Sequence, residues 1–297
     1  MTYTQTPDRE LLGNTLLSLH EAGYSYAELG KQYHRTADAV KGLVRTAKLK
    51  QPKEFNVGIM PTPLELAGDF IIVGDVHVPC TDWAFASLVG RVAEKTGIHR
   101  LIIAGDFFNF DMWSIYQHAV PPTTWREERN AARVLVGDWL ETFSEIYTLQ
   151  GNHDRRLQKW TAGEFDENDV WGLIATSQKL VHSNYGWCTV RSNGQPWRVT
   201  HPKNYGRNQL TVASDLAMKY QSNVITWHEH HSAHGWDTYG RFVTVNGGTL
   251  ADANKFAYVS LDDNRMAAMM KSFVVLKNGT ARVLGEYPFT DWSEWVN

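Results

Sequence analysis

Three stretches of the chain decide its fold: FIIVGDVH at residues 70–77, LIIAGDFFN at residues 101–109 and IYTLQGNHD at residues 146–154. Each begins with a short apolar run, typical of a buried strand, and each run ends directly in a cluster of polar residues. Helical patterns at residues 82–95 and 124–143 separate the three runs. Strands that alternate with helices predict a layered α/β domain.

Two later apolar runs end in the same way, one in Thr200-His201 and the other in WHEHH at residues 227–231. Loops from neighbouring strands converge at the carboxyl edge of an open α/β sheet, and ligands bind there. A single histidine after a strand is a weak signal, but five polar clusters in succession are not. We therefore expect the five clusters to form one site.

In this order the clusters resemble the signature of the calcineurin-like metallophosphoesterase superfamily, which is DxH, GDxxD or GDxxN, GNHD or GNHE, a lone His, and GHxH. The resemblance covers residues 69 to about 250, and GNHD is its most specific element. It implies a four-layer α/β/β/α sandwich with two metal ions. One ion would take Asp75, His77, Asp106 and His230, and the other Asp106, Asn152, His201 and His228, so that Asp106 bridges them.

The chemistry of these side chains agrees with the resemblance. Carboxylate, amide-oxygen and imidazole ligands suit Mn²⁺, Fe or Zn²⁺, and we expect Mn²⁺. Two ions about 3.5 to 4 Å apart can share a hydroxide and stabilise the attacking and leaving oxygens of an in-line displacement at phosphorus. The sequence therefore predicts a phosphoesterase with two divalent metal ions as cofactors.

The GNHD segment also contains the predicted catalytic residues. The resemblance implies that His153 lies over the substrate and protonates the leaving oxygen, with Asp154 orienting its ring.

Three further residues are candidates for substrate binding. Arg155 and Arg156 can each bind a phosphate oxygen, although pairing with surface acids such as Glu164 or Asp166 is an equal alternative. Asn109 fills the last position of GDxxN, where it supports the loop or contacts substrate.

The last cluster departs from the family pattern. Trp227 stands where the family has the glycine of GHxH, and we expect so bulky a residue to reshape the end of its strand. Pro202 follows His201 in place of a glycine. His231 leaves open a shift by one residue, in which it replaces His230 as the ligand; we favour His230.

Residues 1–52 predict a separate domain of three short helices, followed by a linker at residues 53–68 and the phosphoesterase domain at residues 69–297. The segment Ser25-Tyr26-Ala27-Glu28 is a capping box at a helix start. The pattern resembles the helix-turn-helix of small DNA-binding regulators, except that His34 stands where such motifs often have a glycine in the turn. Protein docking is the alternative role.

Charge points to an anionic partner in only one region. The chain of 297 residues has a net charge of −3, but residues 31–53 contain seven basic residues and one acid, for a formal charge of +6. We expect Lys41, Arg45 and Lys48 to contact DNA from one side of the third helix, although a solvated basic face is the alternative.

The remaining features favour an intracellular protein. No apolar segment reaches the length of a membrane span or signal peptide, and the two cysteines, Cys80 and Cys188, form no metal-binding pair. We expect a cytoplasmic protein without membrane attachment; a homo-oligomer remains open.

These features together favour a metal-dependent DNA nuclease, and the combination is similar to proteins of phages and mobile elements. Two alternatives stay open. One is a phosphatase or cyclic-nucleotide phosphodiesterase acting on a small substrate, and the other is an inactive phosphoesterase scaffold in a DNA-binding regulator.

Overall fold

The computed structural model describes residues 9–50, 62–115, 121–256, 259, 269–286 and 288–296. The chain divides into two compact units, Met1–Ile59 and Met60–Asn297. Within the described residues, none of the helices is both long and apolar enough to span a membrane. The predicted linker lies largely outside the described residues.

The first unit consists of three helices, α1 (Arg9–Glu21), α2 (Tyr26–Gln32) and α3 (Ala37–Lys50). Their apolar faces enclose a small core of Leu16, Leu17, Leu29, Val40 and Val44. The predicted capping box is present at the start of α2, where the Ser25 hydroxyl accepts from the Glu28 amide and the Glu28 carboxylate accepts from the Ser25 amide. The three predicted helices are therefore confirmed.

The turn between α2 and α3 keeps a tight geometry despite its histidine. His34 adopts a left-handed conformation with φ of 52°, for which glycine is the usual residue. The necessary glycine lies four residues earlier: a Cβ at Gly30 would lie 2.7 Å from the carbonyl oxygen of Arg35. That close approach lets the Arg35 amide donate to the Gly30 carbonyl at 2.8 Å.

The second unit is a mixed α/β structure. In chain order its strands are β1 (Glu65–Ala67), β2 (Phe70–Val73), β3 (Arg100–Ala104), β4 (Glu145–Leu149), β5 (Leu180–His182), β6 (Trp187–Ser192), β7 (Gln195–Thr200), β8 (Asn223–Thr226), β9 (Ser232–Trp236), β10 (Val243–Gly247), β11 (Ser272–Lys277) and β12 (Thr280–Gly285). Its helices are α4 (Trp83–Thr96), α5 (Trp125–Thr142), α6 (Arg155–Trp160), α7 (Glu167–Ile174), α8 (Thr211–Tyr220) and α9 (Ser293–Val296).

The strands form two six-stranded sheets, in the orders β12-β11-β2-β3-β4-β5 and β1-β6-β7-β8-β10-β9. Strands β2 to β5 run parallel to one another. In the other sheet β7, β8 and β10 are also parallel. The carboxyl ends of each parallel group therefore lie at one edge of its sheet, where the predicted clusters begin.

Alternating side chains along β2 show how the layers pack. Phe70 and Ile72 face the other sheet, in a core that includes Trp197 and Val245. Residues of the opposite face pack against helices α4, α5 and α7, in a second core that includes Ile71, Val73, Phe85, Leu135, Trp139 and Trp171. Helix α8 covers β8 and β10 on the outer face of the second sheet. The predicted four-layer α/β/β/α sandwich is confirmed.

Candidate metal centre

The loops that follow β2 and β3 are joined by backbone hydrogen bonds. The amide of Asp75 donates to the Gly105 carbonyl at 3.1 Å, and the amide of His77 donates to the Asp106 carbonyl at 3.1 Å. The parallel pairing of the two strands thus continues into the polar clusters. As a result Asp75, His77 and Asp106 lie side by side.

Five of the predicted ligands have a backbone conformation that is uncommon outside glycine. Such positive φ angles cost about 1–3 kcal/mol each and concentrate at functional sites. The φ values are 48° for Asp75, 49° for His77, 48° for Asp106, 88° for His228 and 55° for His230. The fold therefore maintains strain at the point where these side chains converge.

Two glycines permit the close packing of the loops. A Cβ at Gly105 would lie 2.8 Å from the Cβ of His201, and a Cβ at Gly151 would collide with the carboxylate of Asp106. Both glycines directly precede a predicted ligand, Asp106 or Asn152. Their physical function is to let three loops meet around one carboxylate.

The first group of candidate ligands is Asp75, His77 and His230, whose ligand atoms all lie within 4.8 Å of one another. The Nε2 atoms of His77 and His230 are 3.2 Å apart. Asp75 Oδ1 lies 3.8 Å from the first of these nitrogens and 3.7 Å from the second. One cation can bind all three side chains.

The second group is Asp106, His201 and His228, again with ligand atoms within 4.8 Å of one another. The Nε2 atom of His201 lies 3.2 Å from Asp106 Oδ2 and 3.1 Å from Asp75 Oδ1, so this histidine connects the two groups. The structure thus brings six of the seven predicted ligands into two adjacent triads.

The seventh predicted ligand, Asn152, lies on the loop after β4. Its Oδ1 atom is buried and has no hydrogen-bond partner among the described residues, as expected of an oxygen that serves as a ligand. The amide of the next residue, His153, donates to Asp106 Oδ1 at 2.7 Å. That bond ties the Asn152 loop to the second triad.

The electrostatics of the centre fit divalent cations. Burial by itself would raise the pKa of Asp75, but His230 and His201 more than offset this effect and hold the pKa below its usual value. Burial, followed by the neighbouring His153, depresses the pKa of His77 well below its usual value, so that this imidazole is neutral and its lone pair is available to a metal. The His77 Nδ1 atom has no partner among the described residues. An ionised carboxylate such as Asp75 beside a neutral imidazole such as His77 offers the donors that Mn²⁺, Fe or Zn²⁺ bind.

His153 lies beside the first triad, with its ring centroid 4.6 Å from that of His77. Its Nδ1 atom is 2.8 Å from the carbonyl oxygen of Asn109, which fixes that nitrogen as the donor. Its Nε2 atom is 3.0 Å from Nη2 of Arg156. The ring is therefore oriented by Asn109 and Arg156.

Asp154 has a different role from the one that the sequence predicted. Its carboxylate accepts from the amides of Asp106 at 2.8 Å, Phe108 at 3.1 Å and Gly151 at 2.8 Å. Burial, followed by the charge of Asp106, raises the pKa of Asp154 to about 7. Since these amides occupy both of its oxygens, it holds the loops after β3 and β4 together rather than orienting the His153 ring.

The candidate substrate residues take different positions. Arg155 donates from Nε to Gln150 Oε1 at 2.7 Å. Arg156 forms an ion pair of 3.2 Å with Asp111. Within the described part of the chain, neither arginine pairs with Glu164 or Asp166, the alternative that the sequence left open.

Asn109 contributes its backbone to the site. Its side-chain Nδ2 points to the sulfur of Cys80 at 3.7 Å, while its carbonyl accepts from His153 and Arg156. Sequence reasoning missed Glu128, whose Oε1 accepts from the amides of Asn109 at 2.6 Å and Phe110 at 2.7 Å. No motif marks this residue, because it lies on α5 and reaches the loop only in the folded chain.

The last cluster accommodates its tryptophan without losing a ligand. Trp227 is fully buried, and its indole lies where the side chains of residues 74 and 247 would otherwise be; a Cβ at Gly74 would lie 2.5 Å from Trp227 Cδ1. Glycines at both positions therefore make room for the ring. His230 belongs to the first triad, whereas His231 is buried outside both.

Similar solved structures include Yfce, a phosphoesterase from E. coli (13% identity, 71% of this chain and 88% of that chain covered, TM-score 0.40), and Vps29 from Chaetomium thermophilum (12%, 74% and 96%, 0.38). The nuclease MPE from Pseudomonas putida is another (15%, 72% and 87%, 0.33). A search of curated proteins returned no match. The model of the calcineurin-like phosphoesterase family matches residues 68–261, more than half of the chain, and the chain therefore belongs to that family.

Proposed function

We propose that this protein hydrolyses phosphodiester bonds in DNA with two divalent metal ions, Mn²⁺ in the first instance. The observation that carries the proposal is the pair of triads, Asp75-His77-His230 and Asp106-His201-His228, joined through His201. Asn152 completes the proposed ligand set. When bound, the two ions would supply the nucleophile at neutral pH and stabilise charge on the phosphoryl oxygens.

The residues around the centre suggest how the leaving oxygen is protonated. The Asn109 carbonyl holds Nδ1 of His153, which leaves Nε2 as the nitrogen that can transfer a proton. In the free protein Arg156 contacts that Nε2 atom. We infer that Arg156 exchanges this contact for a phosphate oxygen when substrate binds, because a phosphate binds a guanidinium more strongly than a neutral imidazole does. The freed Nε2, once protonated, acts as general acid.

The helical unit supports DNA as the substrate. Lys41, Arg45 and Lys48 are exposed on α3, whose opposite face buries Val40 and Val44. Exposed cations on one face of a helix provide the attraction to phosphates that a nuclease needs whatever the sequence of its substrate. The basic face therefore favours a polymeric phosphodiester over a small ester as the substrate.

The test is cleavage of end-labelled single- and double-stranded DNA by metal-stripped protein resupplied with Mn²⁺. We expect cleavage only with metal. His153→Ala should lower the rate about 10² to 10⁴ fold, the usual contribution of a general acid. Replacing Lys41, Arg45 and Lys48 with glutamine should raise the KM for DNA but leave hydrolysis of bis(4-nitrophenyl) phosphate unchanged.

Two results would overturn the proposal. Hydrolysis of small esters with no cleavage of DNA would identify a small-substrate phosphatase or phosphodiesterase. Failure to bind metal, with no hydrolysis of any ester, would identify an inactive scaffold.

A further inference from the structure

A cavity of about 460 Å³ opens beside the second triad, where Asn152 and His201 form part of its wall. We call it the basic groove, because five cationic side chains line it: Arg155, Lys159, Arg198, Lys203 and Lys219. Among the residues that the structure describes, neither aspartate nor glutamate lines it. In a chain with a net charge of −3, this is a strong local concentration of positive charge.

The cations of the groove are available to a ligand. Lys159, Lys203 and Lys219 are exposed, and Arg155 and Arg198 are half-buried. Within the described ranges, none of the five forms an ion pair with a carboxylate. Cations grouped in this way repel one another, and a bound anion would relieve that repulsion.

Arg198 is held in place by two aromatic rings. Its guanidinium carbon lies 3.6 Å from the ring centre of Trp187 and 3.8 Å from that of Tyr220. The Nε atom is buried and has no hydrogen-bond partner among the described residues. Stacking on aromatic rings leaves the edge of the guanidinium, with its N–H groups, for a hydrogen-bond acceptor. The side chain has thus already lost most of the conformational entropy that binding would otherwise cost.

The groove begins at the metal centre because of the fold. Arg155 and Lys159 lie on α6, which starts directly after the GNHD segment, and Arg198 lies on β7, three residues before His201. Lys219 comes from the end of α8. Three elements that are distant in sequence therefore place positive side chains together on one side of the metal centre.

We propose that the basic groove binds the phosphates next to the scissile bond of a single DNA strand, with Arg198 as the fixed contact and the lysines as mobile ones. The inference rests on the proposed function, since it assigns a path to the substrate of that same site. The size of the cavity favours a strand over a duplex, because it falls in the range of small-molecule pockets, roughly 300–1,000 Å³.

The test compares two full-length triple variants. In the groove variant Lys159, Lys203 and Lys219 become glutamine, and in the control variant Lys179, Lys277 and Arg282, exposed cations outside the groove, become glutamine. For each, kcat/KM is measured on a short single-stranded oligonucleotide and on bis(4-nitrophenyl) phosphate. The affinity for a fluorescein-labelled oligo(dT) is measured by anisotropy at several salt concentrations.

The groove variant should lose at least tenfold more kcat/KM on the oligonucleotide than on the small ester, mainly through KM. The slope of log Kd against log salt should fall by about 2, because each lost contact with a single strand contributes about 0.7. The control variant should match the wild type on both substrates. If the two triple variants behave alike on the oligonucleotide, the groove does not bind the strand.

If the protein does not hydrolyse DNA at all, these measurements give a different set of results. Wild-type protein would then hydrolyse the small ester and leave DNA intact, and the anisotropy measurement alone would decide the role of the groove. Weaker oligo(dT) binding by the groove variant than by the control variant would still support it. Equal binding by the wild type and both variants would overturn it.

Discussion

The metal centre and the basic groove are adjacent, but they position their side chains by opposite means. In the centre the backbone positions the side chains, because five candidate ligands have positive φ and glycines make room for the loops. In the groove the cations are long side chains on α6, β7, α8 and the loop after β7, where Arg198 is held by two aromatic rings and Arg155 by Gln150. The centre is suited to fixed ligand geometry, and the groove to a flexible polymer. Substitutions in the centre should therefore have larger and less local effects than substitutions in the groove.

The largest effect is expected for Asp106→Asn, which removes the only carboxylate of the second triad, a residue that the family resemblance implies bridges the two ions. We expect at least one ion to be lost and kcat to fall about 10³ fold or more, since a catalytic metal contributes several kcal/mol. Metal content measured by elemental analysis, together with hydrolysis of bis(4-nitrophenyl) phosphate, checks this. The matched control is Asp138→Asn, at an exposed position on α5. Full activity with two ions bound in Asp106→Asn would show that the triads are not the working site.

The sequence predicted the centre much better than the groove, for a physical reason. Each cluster of the centre lies within a few residues of a strand end, so a short apolar run that ends in polar residues is enough to find it. The groove cations come from α6, from β7 and the loop after it, and from α8, and only the folded chain brings them together. Arg155 and Arg156 looked equivalent as neighbours in sequence. Only the structure distinguishes the first, at the groove, from the second, at His153.

Supporting contacts escaped prediction for the same reason. Asp154 was expected to orient a ring, but its carboxylate holds backbone amides of two loops. Trp227 was expected to reshape its strand end, but the sequence did not show that Gly74 and Gly247 make room for its ring. These partners lie between 3 and 153 positions away from the residues that they serve. A local pattern does not record where a distant segment packs.

The accommodation of Trp227 gives the second prediction, of intermediate size. Gly247→Ala would place a methyl group against the indole ring, in a core without free space. We expect the free energy of unfolding to fall by about 3 kcal/mol, at the upper end for overpacking, because the indole already occupies the side-chain space of both Gly74 and Gly247. Denaturant unfolding measures the change. As a control, Gly137→Ala in α5, where an added Cβ meets nothing within 4 Å, should stabilise the protein by about 0.5–1 kcal/mol. If Gly247→Ala and Gly137→Ala changed the free energy of unfolding equally, the packing around Trp227 would not be rigid.

The smallest expected effect concerns Glu128, the buried carboxyl that holds the Asn109 loop. Burial raises its pKa to about 8 in the folded protein, against an ordinary value of 4.5. Between these two values the folded protein retains a proton that the unfolded chain releases, so this group makes the protein less stable as pH rises toward 8. Glu128→Gln keeps an oxygen for the two amides and removes the titration.

The stability of Glu128→Gln relative to wild type should therefore increase by about 2 kcal/mol between pH 6 and pH 8, because the difference grows by roughly 1.4 kcal/mol per pH unit and levels off as pH approaches the folded pKa. Unfolding in urea at several pH values measures the difference, and because every other titrating group is common to both proteins, the difference isolates this residue. A pH-independent difference would mean that Glu128 is ionised at pH 6. The Asn109 loop, whose carbonyl orients His153, would then be held by a charged carboxylate, and the rigidity of the centre would depend on electrostatics as well as on backbone packing.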